Sequence, residues 1–127
     1  MNRTFHVYDV YLARAGKQKY VVPVLPYGKQ WLCFVINSNL TAAQERLPSL
    51  QPCIVALPRA TNPYLAWDSF IVVSSGEYVP DDALNHVLGA VSTPCCRSVR
   101  DAVVSCTVLP DRTKRLVLEH LVDHVPD

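Results

Sequence analysis

Residues 66 to 75 read AWDSFIVVSS. Asp68 and Ser69 stand directly before the apolar run Phe70-Ile71-Val72-Val73. A carboxylate and a hydroxyl at a strand mouth can close a loop by hydrogen-bonding their own backbone. They can also present polar chemistry from a rigid platform. Trp67 and Tyr64 stand beside them, either stacked on a ligand's bases or buried as a plug at the end of a barrel. A second cluster is Arg14, Lys17 and Lys19, three cations within six residues, which form a local positive patch able to hold phosphates or an acidic peptide. A third is the segment EHLVDH. His120 and His124 are one helical turn apart with Asp123 between them, a two-histidine metal spacing that lacks an evident third ligand. His6 is a lone acid/base candidate in the first strand, a place where histidine is more often structural. Arg97, Arg100, Arg112, Lys114 and Arg115 read as solvated helix faces.

The elements that must position these groups are mostly strands. FHVYDVYLA (5 to 13), YVVPVL (20 to 25), WLCFVI (31 to 36), CIVAL (53 to 57) and SFIVVSS (69 to 75) are five β-rich runs separated by turn residues. Pro23 cannot donate to a ladder, so the second strand is an edge or bulges there. Gly28 in PYGKQ makes a hairpin of strands two and three. Thr41 and Gln44 have capping-box spacing for a short helix that Pro48 ends. PDDALNHVL (80 to 88) starts like a helical turn. Thr93-Pro94 opens a helix whose Ala102, Val99, Val103 and Cys106 share a face, and Asp111 caps another with a stripe of Leu116, Leu118, Leu121 and Val122. Short strands followed by helices predict a mainly β, small curled antiparallel barrel of about five strands, with a helix or helix pair at its C-terminal end.

The chain has 127 residues, half of them hydrophobic and 18% charged, which predicts one ordered domain. The barrel would span about 4–78 and the helical part about 80–124. Twelve Lys and Arg against eleven Asp and Glu give no global basic field, so an anionic partner must be met locally. The start has no apolar h-region and no apolar run approaches membrane-helix length, so a cytoplasmic protein without membrane contact is expected. Five cysteines, with the vicinal pair Cys95-Cys96, fit reduced structural thiols, Cys33 and Cys53 among them as small core residues.

The order of these elements resembles the MazF/PemK-like toxins of type II toxin-antitoxin pairs. YDVYLA (8 to 13) is similar to the family's GDVY opening strand. Lys19 stands where the family has an Arg at the start of strand two, and Asn37-Ser38 where strand three ends on Thr or Ser. Asp68-Ser69 matches the step into the fifth strand, and Gly89-Ala90-Val91-Ser92 precedes a similar C-terminal helix. The likeness runs from about Tyr8 to Leu109. It implies an SH3-like barrel, commonly a homodimer, that binds a cognate antitoxin and cuts single-stranded RNA without metal or other cofactor. On that reading Lys19, Ser38 and Asp68 are the catalytic groups and Arg14, Lys17, Asn37 and Trp67 bind RNA. Lys keeps the charge of Arg but loses its two-pronged grip on phosphate, and Asn cannot relay a proton as a hydroxyl can. The alternative is a non-catalytic module of the same fold that acts by binding another protein, as CcdB-like proteins do.

Overall fold

The computed structural model describes residues 2–125. Its centre is one antiparallel sheet of six strands: β1 His6–Leu12, β2 Lys17–Tyr27, β3 Gln30–Asn37, β4 Ile54–Leu57, β5 Ser69–Pro80 and β6 Val87–Ala90. They lie in the order β4-β5-β3-β2-β1-β6, so β4 and β6 are edges and the sheet is not closed. Three helices complete the fold: α1 Ala42–Arg46, α2 Thr93–Ser105 and α3 Asp111–Leu121.

The five expected strands are present, and β2 and β5 run longer than their apolar cores suggested. Pro23 lies in an interior strand and is accommodated by a register shift between Pro23 and Leu25, the bulge that removes its missing donor from the ladder. Gly28 turns the β2–β3 hairpin at φ 62°, a conformation that favours glycine. Thr41 and Gln44 form the reciprocal capping box at α1.

The segment after Pro80 differs from expectation. Only Asp81–Ala83 form a 3₁₀ turn, and the chain then pairs as β6 with β1. Pro80 itself ends β5, paired with Gln30. Strand pairing has overridden the local helix-start signal of Pro-Asp-Asp. The N-cap position of α2 is Ser92, one residue before the expected Thr93, and that of α3 is Pro110 rather than Asp111, neither with a side-chain cap bond.

The larger hydrophobic core joins one face of the sheet to α2 and α3. Phe34, Ile71, Val99, Val103, Val117 and Leu121 meet there, essentially without solvent. Each such side chain contributes roughly 1.5–3 kcal/mol by burial. In α3 the buried members are Val117 and Leu121, whereas Val122 from the expected stripe is exposed. A smaller cluster of Tyr8, Val10, Val21, Trp31, Cys33, Val79 and Leu84 covers the other face.

The cysteines require a correction. Cys53 and Cys106 form a disulfide, joining the start of β4 to the C-terminal cap of α2. Cys33, Cys95 and Cys96 are free and buried. The apolar settings of Cys53 and Cys106 identify core residues but say nothing of which core residues meet. Here the sheet edge and the end of α2 converge, with Cα atoms 4.8 Å apart, inside the span a disulfide needs.

No helix among the described residues is long and apolar enough to cross a membrane.

Candidate functional site

The β1–β2 hairpin and the end of β3 build the site. The register sets Val10 opposite Lys19 and Tyr20 opposite Ile36, so Lys19 lies across from the last residues of β3. Its Nζ donates to Asn37 Oδ1 at 2.7 Å. Lys19, Asn37, Ser38, Trp67 and Ser69 line one cavity of about 230 Å³. Burial pushes the Lys19 ammonium below its ordinary pKa of 10.5, and the like charge of Lys17 pushes the same way.

The wall opposite Lys19 is the loop between β4 and β5. Trp67, 70% exposed, stands at its rim, one of the two arrangements its sequence allowed. The loop owes its shape to side chains bonded to backbone. Asp68 Oδ1 accepts the Arg59 amide at 2.8 Å, and Ser69 Oγ donates to the Trp67 carbonyl at 2.9 Å. The Asp68-Ser69 step thus closes a loop, and Asp68 is not among the residues lining the cavity.

Sequence reasoning missed the residue that fixes this loop. Asn62 is fully buried. Its Nδ2 donates to the Pro58 carbonyl at 3.0 Å and to Cys95 Sγ at 3.6 Å. Its Oδ1 accepts the Tyr64 hydroxyl at 2.9 Å and the Ser92 amide at 3.0 Å. The Asn-Pro pair signals a turn, but nothing local announces that the amide will also hold the start of α2. With the Thr61 hydroxyl, 3.2 Å from Nδ2, five polar partners surround one buried amide and satisfy its donors and acceptors.

The other candidates lie elsewhere. Lys17 opens β2 opposite Leu12. Arg14 sits in the β1–β2 connection, 3.8 Å from Glu77 of β5, and lines a different cavity. His6 Nδ1 is buried without a hydrogen-bond partner among the described residues. His120 and His124 stack at 4.2 Å. His120 Nε2 and the Thr4 hydroxyl share a hydrogen bond of 2.7 Å, and His124 Nδ1 donates to the His120 carbonyl. Among the described residues no three His, Cys, Asp or Glu side chains are grouped to hold a metal ion.

No protein-family model and no curated protein matches the chain. Solved structures do. One similar structure is an endoribonuclease in complex with its cognate antitoxin, from a mycobacterial species. It has a TM-score of 0.65 at 16% identity, over 87% of this chain and 98% of that one. Another is a mycobacterial endoribonuclease, with a TM-score of 0.59 at 17% identity, over 87% of this chain and 96% of that one. The fold is therefore the one these endoribonucleases have, as the resemblance implied.

Proposed function

We propose that the protein is the toxin of a toxin-antitoxin pair and cuts single-stranded RNA without a metal ion. The observation that carries this reading is that Lys19 and Ser38, 19 positions apart, line one cavity with an exposed tryptophan at its rim. The fold shared with the mycobacterial endoribonucleases, one of them bound to an antitoxin, supports it.

In this reaction the RNA 2′-oxygen attacks the adjacent phosphorus and the 5′-oxygen leaves, giving a cyclic phosphate and a free 5′-hydroxyl. Ser38 relays the 2′-proton to solvent. Lys19 meets the charge that builds on the phosphorane oxygens and gives a proton to the departing 5′-oxygen, then regains one from water. Asn37 aims the ammonium, Trp67 stacks on a neighbouring base, and Lys17 and Arg14 attract phosphate. Asp68 acts by holding the loop that carries Trp67. The reading also entails a cognate antitoxin, a homodimer and a cytoplasmic location. In that compartment the complete burial of both Cys53 and Cys106 shields their bond from reducing thiols.

A second reading, a non-catalytic module that binds another protein, is favoured by one contact: the bond from Lys19 goes to Asn37 and not to a hydroxyl. Incubation of the purified protein with total RNA in excess chelator separates the two. Discrete cuts that vanish in Lys19→Ala support the nuclease. Intact RNA beside a growth defect on expression supports the binding module.

A further inference from the structure

On the far side of the β1–β2 hairpin lies a cavity of about 290 Å³. Its walls include Val10, Tyr11 and Arg14 of the hairpin and Glu77, Tyr78 and Val79 of β5. Tyr11 and Tyr78 are 60% and 52% exposed. The Tyr78 ring packs on Tyr27, with centroids 5.6 Å apart, and strand alternation turns it to the face opposite Glu77. The Arg14 side chain is 83% exposed and the Glu77 side chain 29%. At 3.8 Å their approach is too long for a hydrogen bond, so both keep their bonding capacity for a third group.

This cavity adjoins the Lys19 site across paired backbone. Val10 lines the one and its register partner Lys19 the other. The same holds for Tyr11 and its partner Gln18. A strand of RNA crossing the hairpin from the Lys19 cavity would therefore bring its next bases here.

We infer that this cavity is a second nucleotide subsite of the RNA path, specific for guanine; the inference rests on the RNA reading above. A carboxylate only accepts hydrogen bonds. Guanine presents two adjacent donors, N1–H and the N2 amino group, which match its two oxygens. Adenine and cytosine set an acceptor beside their amino donor, and uracil flanks its single N–H with two carbonyls. Each of those acceptors would face Glu77 with like charge. Arg14 grips the flanking phosphate.

The test is fluorescence-anisotropy binding of the unaltered chain and its variants to short 2′-O-methyl oligonucleotides, which lack the nucleophile and stay uncut. One oligonucleotide carries a single guanine in a pyrimidine context. Two others replace it with inosine, which lacks the N2 amino group, or with adenine. The unaltered chain should prefer guanine over both, by on the order of tenfold. Glu77→Gln should abolish that preference. Arg14→Ala should weaken every oligonucleotide alike and lower the salt dependence of binding. Circular dichroism checks that the variants fold. Binding without guanine preference, or a preference unchanged in Glu77→Gln, overturns the subsite and leaves the nuclease reading standing. Failure of the unaltered chain to bind any oligonucleotide overturns both.

Discussion

Lys19 is held by one hydrogen bond and partly stripped of water, and both facts set its chemistry. Its pKa lies below 10.5 because burial disfavours the ammonium and Lys17 repels it. A lysine with a lowered pKa loses its charge sooner as pH rises. RNA cleavage should therefore fall on the alkaline side with a midpoint below that value, as read from a pH–rate profile. Asn37→Asp places a carboxylate at the same distance, which favours the ammonium. Its alkaline limb should move to higher pH, while KM rises because the cavity gains negative charge. Lys19→Ala should lose about 10²–10³-fold in kcat, the typical cost of one donor to a developing oxyanion. The sequence names Lys19 and Ser38 through the order of strands around them. It does not reveal the bond from Lys19 to Asn37, because that bond needs the register of β2 on β3, which turns and bulges settle only in the folded chain.

Among the elements, β6 was the least legible. Val87-Leu88-Gly89-Ala90 is too short to show a period, and the Pro-Asp-Asp before it advertises a helix. The deciding partner is β1, some 80 residues away in the chain. Gly89 shows how tight the docking is. A Cβ there would lie 2.8 Å from Cδ1 of the Tyr64 ring, a rigid group already committed through its hydroxyl to Asn62. Gly89→Ala should cost about 1–3 kcal/mol by overpacking, measured as a lower urea midpoint with an unchanged slope. By contrast the β2–β3 hairpin was readable from Gly28 alone, because a φ of 62° at a tight turn selects glycine.

For the molecule as a whole, two measurements follow from burial. Burial pushes the Cys33 and Cys96 thiols up to about 12, so neither offers thiolate near neutral pH. Iodoacetamide should therefore leave both unmodified in the native protein. After denaturation without reductant it should label Cys33, Cys95 and Cys96, and after reduction all five cysteines, as counted by mass spectrometry. Labelling of five without reductant would remove the Cys53–Cys106 bond. The second measurement concerns His120, which packs against Thr4, Trp31 and His124, with Asp123 nearby. Burial, aided by the charge of His124 and opposed by Asp123, lowers its pKa from 6.5. The unfolded chain then takes up this proton first as pH falls. Stability should drop from about pH 6.5 downward and level off below the folded pKa, and His120→Gln should flatten that part of the melting-temperature profile. The fold class was legible because five β-rich runs precede two amphipathic helices. The cross-link between Cys53 and Cys106 was not, since cysteine spacing carries no record of which distant apolar segments will touch.

Asn62 gives the molecule a mechanical property. One amide ties the segment bearing Trp67 to the first turn of α2. Force applied at the base of that helix is thus transmitted to the lip of the Lys19 cleft through a stiff linkage rather than a slack one. A protein that clamped α2 could tilt the indole and throttle the cleft while touching nothing inside it.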